Sequence, residues 1–400
     1  PLRPEFRPTL VLSVVAFFVM MGVSIISPVL PAYALGFGVS LGLVGLLISA
    51  FAVARVLLDI PAGMFASLVG MKRFMLLGLI IIAISSIAAG LAVNYEMLLT
   101  ARIMEGVGSA LYTTTSITAV SRLAPEGSRG VHLSFYISMF LVGTSFGPAV
   151  GGFVADHFGL GAPFLVYGLC AAVSTLMVVY WIEDVRPEPG EAKIITLRQL
   201  GSLFVRLDLL AINLATIGIF VTRQGILNTM VPLFSKYNLN MGEGTLGAIL
   251  TVGAVCNLVT MVLAGRLTDI YGRKPFLFGS IVLLALLTLL IPMVTDALGL
   301  TLILMAIGLT IGLSGPIAAW IADVCVPADL GGAMGLFRTM GDLGFVIAPI
   351  ALASIAGEAG SPIGTTPFLV AAVVMVLVGL PLLRIKDPVA EKRKASAQRL

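Results

Sequence analysis

Charge is what this 400-residue chain has least of. Asp, Glu, Lys and Arg together make up 11% of it, against roughly 25% in a soluble domain. A soluble protein of this length could not cover its surface with so few, and the mean hydropathy of +1.08 points the same way. Cysteine is also scarce. Cys170, Cys256 and Cys325 all fall in apolar runs, which argues for packing rather than a disulfide framework or metal site. The two histidines, His132 and His157, offer no metal-ligand spacing. No Walker loop, dinucleotide fingerprint or zinc-protease helix is present, and the Gly-rich strings lie inside apolar runs. These absences argue against an ATP-driven pump and against an intramembrane enzyme, and no cofactor is expected. A receptor would carry longer loops or a soluble domain.

What is there is apolar sequence. Runs fall at about 9–33, 41–67, 73–93, 97–121, 130–155, 161–182, 207–234, 242–266, 275–294, 298–322, 329–356 and 364–384. Each is close to the 20 or so residues that a spanning helix needs. They are too long and too evenly apolar for barrel strands, and backbone groups in lipid must be satisfied within the segment. The fold class expected is therefore an all-α membrane protein with twelve spanning helices. The first run is long enough to act as its own insertion signal.

Basic residues set the orientation. Nineteen of the 24 Lys and Arg fall on one side of this helix count and only Lys236 on the other; the remaining four are Arg55, Arg102, Arg223 and Arg338, inside spans. This placement accounts for the net charge of +4 without a nucleic-acid partner. It predicts cytoplasmic termini in a cell inner (plasma) membrane. The polar stretch 184–205 reads as a cytoplasmic linker between six-helix bundles over 1–183 and 206–386, with a basic tail over 387–400 that includes Lys392, Arg393 and Lys394.

The halves repeat. Residues 63–73 read GMFASLVGMKR and residues 265–275 read GRLTDIYGRKP, so Gly63, Gly70 and Lys72 match Gly265, Gly272 and Lys274, each 202 residues on. Gly143 and Pro148 match Gly344 and Pro349 at an offset of 201. A parallel repeat of this kind is a recurrent transporter architecture and implies a substrate site near the bilayer midplane.

These residues resemble the major facilitator superfamily. Its signature G-x-L-a-D-r-x-G-r-K, between helices two and three, is matched in the second half by Gly265, Leu267, Asp269, Gly272, Arg273 and Lys274. The resemblance implies a cytoplasmic gate, with Asp269 interacting with the positive end of a neighbouring helix. The first-half copy keeps Gly63, Gly70, Lys72 and Arg73 but has Ser67 in place of the acid, which would weaken that gate unless Asp59 substitutes. Helix four begins Arg102-Ile103-Met104-Glu105-Gly106-Val107-Gly108, similar to the family's R-x-x-q-G-x-G. Helix five carries Gly143, Gly147, Pro148, Gly151 and Gly152, resembling the G-x-x-x-G-P-x-x-G-G string of the drug:proton antiporter branch. The implied activity is proton-coupled export of small amphipathic organic molecules by alternating access, with protons as coupling ion, a small-molecule substrate and the lipid bilayer as partners, and function as a monomer.

Charges inside spans are costly and functional by default. Arg55 with Asp59, Arg102 with Glu105 and Arg338 with Asp342 sit three or four residues apart, on common helix faces. Each pair reads either as a self-neutralising packing pin or as a coupling element; the resemblance places Arg102 in proton coupling, with Glu105, Asp342 and Asp59 as candidate carriers. Arg223 has no acid within one turn. It joins Arg338, Asn257 and Gln224 as a candidate substrate contact. The excess of interior arginine leaves open a metabolite facilitator or symporter, for instance of an organic anion.

Overall fold

The computed structural model describes residues 6–125, 127–184, 203, 205–315, 317–326 and 329–387, apart from the side chains at 60, 63–69, 330 and 331. Most of the 184–205 linker and all but Asp387 of the 387–400 tail lie outside the described residues. Among the described residues, twelve long helical segments fall where the apolar runs predict them. They are α1 (Arg7–Ile25), α2 (Leu41–Val69), α3 (Met71–Gly90), α4 (Tyr95–Leu123), α5 (Arg129–Phe158), α6 (Ala162–Trp181), α7 (Leu207–Phe220, continuing to Asn238), α8 (Glu243–Tyr271), α9 (Lys274–Leu290), α10 (Ala297–Leu313), α11 (Leu330–Ser354) and α12 (Thr366–Gly379). Eleven of the segments are long and apolar enough to cross a membrane by composition alone. The other, α4, has the length but carries Glu96, Arg102, Glu105 and Arg122.

Three runs are less regular than hydropathy suggests. The 9–33 run ends as a helix at Ile25, and a short helix, Leu30–Leu35, follows after turns around Pro28. Pro28 lacks an N–H and biases the residue before it away from the helical region. The 298–322 run stops at Leu313 and resumes over Ile317–Val324. In α7 the α-helix passes into a π-helix over Val221–Met230 before Val231–Asn238 completes the segment. Such π segments are rare and concentrate at functional sites.

The chain forms two compact units. One comprises Pro1–Lys193 with Met241–Thr251, the other Ile194–Asn240 with Val252–Leu400. In the first, α1 packs on α5 and α6, and α3 packs on α4 and α6. In the second the same pairs recur six helices on: α7 with α11 and α12, α9 with α10 and α12. Helix starts repeat too. Asn94 accepts a hydrogen bond from Met97 N at 2.8 Å to cap α4, and Asp296 accepts from Gly299 N at 2.8 Å to cap α10, 202 residues later. Leu12, Val15, Leu79, Tyr112 and Phe164 form the core of the first unit, while Ile84 and Leu169 face outward. Apolar exteriors of this kind require lipid as solvent.

Candidate functional site

Among the described residues of the first unit the most enclosed charges are Arg102 and Glu105, at 5% and 0% exposure. They form a direct ion pair one turn apart on α4. The second Glu105 oxygen accepts a hydrogen bond from Ser86 Oγ on α3 at 2.7 Å. The Arg102 guanidinium lies 4.8 Å from the centre of the Phe51 ring on α2, and that of Arg55 lies 5.9 Å from the same ring. Two cations thus lie over one aromatic ring, an arrangement strengthened by removal from water. Arg55 stands 4.0 Å from Asp59, and Asp59 also accepts from Thr114 of α4 at 3.3 Å. The cluster ties α2, α3 and α4 together. Arg102 Nε is nevertheless buried without a hydrogen-bond partner. Sequence spacing finds the two i,i+3 and i,i+4 pairs. It misses Ser86, Phe51 and Thr114, which come from other helices and leave no local signal.

In the second unit, Asp342 on α11 is 8% exposed and Arg338, one turn before it, is exposed. Gly341 and Gly344 flank the acid, and a Cβ at either would press into Phe220, the residue at which α7 passes into the π-helix. Arg223 sits inside that π-helix and makes no hydrogen bond or ion pair among the described residues. Gln224 is engaged elsewhere, accepting from Asn228 Nδ2 at 2.7 Å. Asn257 on α8 holds a buried Oδ1 with no partner. Sequence reading names both Arg223 and Gln224 as candidate substrate contacts, and the bond to Asn228 uses only the carbonyl end of the Gln224 amide.

The two signature turns make contacts within their own units. Gly70 and Gly272 both have positive φ, +107° and +96°, which side-chain-bearing residues rarely adopt. In the first unit, Lys72 N donates to Asp184 at 3.2 Å, and Lys72 Nζ donates to the Val179 carbonyl of α6 at 2.9 Å. In the second, Lys274 N donates to Asp387 at 2.8 Å, and Lys274 Nζ to the Leu383 and Ile385 carbonyls, each at 2.9 Å. In each unit, then, the third helix is fastened at its start to the end of the sixth. A Cβ at Gly70 would approach the Asp184 carboxylate oxygens to 2.6 and 2.7 Å. The acids were readable: Ile182 and Asp184 recur as Ile385 and Asp387, 203 residues on. Asp269 is 65% exposed and pairs with Arg273 at 3.2 Å, and Arg273 also binds Asp323 at 2.6 Å. Arg73 is exposed, Gly265 meets nothing within 4 Å of an added Cβ, and Gly63 and Ser67 lie on α2 where only the backbone is described.

The proline-centred string on α5 is a packing surface inside the first unit. Cβ atoms at Gly143, Gly147 and Gly151 would collide with Phe17, Ser24 and Ile25 of α1. Gly152 meets the backbone of Glu243, and Gly247 that of Pro148. Pro148 leaves its helix one hydrogen bond short, and the neighbouring Ala149 N donates to Thr251 Oγ1 at 2.9 Å.

Comparison with known proteins agrees with this geometry. The Major Facilitator Superfamily profile matches residues 12–242 and 212–400. A multi-drug resistance efflux pump PmrA homolog of Lactococcus lactis is 25% identical, over 90% of this chain and 91% of its own length. Multidrug resistance protein 2 of Bacillus subtilis is 25% identical over 92% of each chain. The crystal structure of the nucleoside transporter NupG superposes with a TM-score of 0.78 at 15% identity, covering 94% of this chain and 99% of that one; it speaks to the fold alone. By motif, fold and profile, the chain belongs to the Major Facilitator Superfamily and is a multi-pass membrane transporter, not an enzyme.

Proposed function

We propose that the chain is a proton-coupled exporter of small amphipathic organic molecules, working by alternating access as a monomer in the plasma membrane with both termini cytoplasmic. Protons are its coupling ion and it takes no cofactor. The observation that carries this reading is Glu105: a carboxyl at 0% exposure in a spanning helix, held by one cation and one hydroxyl. A neighbouring cation favours the charged carboxylate and burial favours the neutral acid, so a small helix displacement changes which form is preferred. Asp342 is the second candidate carrier, buried beside the point where α7 changes its winding. The substrate class is supported by the relatives, two of which are named for multidrug resistance.

The test is transport of a fluorescent lipophilic cation in proteoliposomes. An acid exterior should drive the cation outward, and a protonophore should abolish that drive. Glu105→Gln or Asp342→Asn should retain substrate binding but lose gradient-driven movement. Transport indifferent to the proton gradient would remove antiport from the reading, and full gradient-driven activity in both variants would remove Glu105 and Asp342 from the mechanism. A second reading, movement of an organic anion, is favoured by Arg223, a cation in a π-helix with no partner among the described residues. The same vesicles, loaded with an organic anion in place of the cation, separate the two.

A further inference from the structure

Tyr167 on α6 is fully buried, and its hydroxyl has no hydrogen-bond partner among the described residues. Leaving such a group unsatisfied is costly, and phenylalanine would fill the same space without the penalty. The ring is not free to move away. It is seated on Gly22 of α1, where an added Cβ would run into ring carbons Cδ2 and Cε2. The next residue, Gly168, packs against Ala83 and Ile87 of α3, which bracket Ser86, the residue that holds Glu105. The charged and titratable groups within electrostatic reach of the hydroxyl are Glu105 and Arg102 of α4, Arg55 of α2 and Cys170 on its own helix; none comes from α1. On α4, Arg102 Nε is likewise buried and has no hydrogen-bond partner among the described residues. The α3–α4–α6 interior therefore holds more buried donors than its bonds use, Tyr167 Oη and Arg102 Nε among them, in the same bundle as an ion pair that transport would have to open.

We propose that Tyr167 is a positioning residue for Glu105: when the Arg102–Glu105 pair separates, the Tyr167 hydroxyl becomes the carboxyl's partner and holds it in one orientation beside Ser86. The inference rests on the reading that Glu105 carries the proton. It explains why a hydroxyl is kept where the state described here gives it nothing to bind.

The experiment uses the full chain in proteoliposomes with a fluorescent lipophilic cation. Two rates are measured: gradient-driven movement, and exchange at equal pH on both sides. Tyr167→Phe keeps the ring on Gly22 and deletes only the hydroxyl. It should lower gradient-driven movement about tenfold, the worth of one hydrogen bond to a charged group, and leave exchange within about twofold of wild type. Adding Tyr167→Phe to Glu105→Gln should cause no further loss, since the tyrosine acts only through that carboxyl. Wild-type driven movement in Tyr167→Phe, or equal loss of both rates, overturns the proposal. If Tyr167→Phe does not assemble, 3-fluorotyrosine at Tyr167 keeps the donor but alters its acidity; an unmoved pH profile of driven transport overturns the proposal there. Glu105→Gln with full driven transport sinks the reading of Glu105 and this inference with it. Uncoupled Glu105→Gln beside wild-type Tyr167→Phe sinks the inference alone.

Discussion

At the scale of single residues, the first unit keeps a guanidinium and a carboxylate together where water does not reach. Their mutual attraction offsets much of the desolvation of each, but neither tolerates the loss of the other. Arg102→Leu should therefore cost about 3 kcal/mol or more, because Glu105 would remain buried without its counter-ion. The double change Arg102→Leu with Glu105→Leu should recover part of that loss. Thermal melting in detergent checks both; a double variant no more stable than the single one would mean that the pair is not energetically linked. The pair itself is legible in sequence, since i,i+3 neighbours on a helix always face one another. Its surroundings are not. Ser86 and Phe51 reach it across 19 and 51 positions of chain, and no spacing rule encodes that.

At the scale of elements, apolar run length predicts every long helix here, because lipid makes the helix obligatory wherever the run is long enough. Run length says nothing about winding, so the break after Ile25, the interruption after Leu313 and the π-helix over Val221–Met230 appear only in the structure. Glycine patterns predict close approach but not which glycines are used. Gly151 and Gly265 make the contrast testable. A Cβ at Gly151 would run into the Ile25 carbonyl, whereas one at Gly265 meets nothing within 4 Å. Gly151→Leu should separate α1 from α5 and cost about 3 kcal/mol, with loss of folded yield. Gly265→Ala should match wild type or gain about 0.5 to 1 kcal/mol of helix propensity. Equal melting of the two variants would mean that the α1–α5 contact is not tight.

At the scale of the whole molecule, duplication explains more of the structure than any single motif. The packing pairs, the α4 and α10 caps and the lysine fastenings recur in the second unit. The copies are not equal. Asp387 is 7% exposed and its bond to Lys274 N is 2.8 Å, while Asp184 is exposed and its bond to Lys72 N is 3.2 Å. Asp387→Ala should therefore lower stability by about 1 to 2 kcal/mol, and Asp184→Ala by about half of that or less. Melting of the two variants side by side decides it; a larger loss at Asp184 would reverse the ranking. Sequence alone assigns both lysines to a gate. Once Ile182 and Asp184 are aligned with Ile385 and Asp387, the lysines also belong to closure of their own bundles.

That fastening has a consequence in time. Lys72 lies 112 residues before Asp184, and Lys274 lies 113 before Asp387. During synthesis at about 5 to 20 residues per second, the start of α3 waits roughly 5 to 20 s for the acid that caps it, and the start of α9 waits as long again. Each bundle is sealed only as its sixth helix leaves the ribosome, and for that interval the turns at Gly70 and Gly272 are open to whatever accompanies the nascent chain into the membrane.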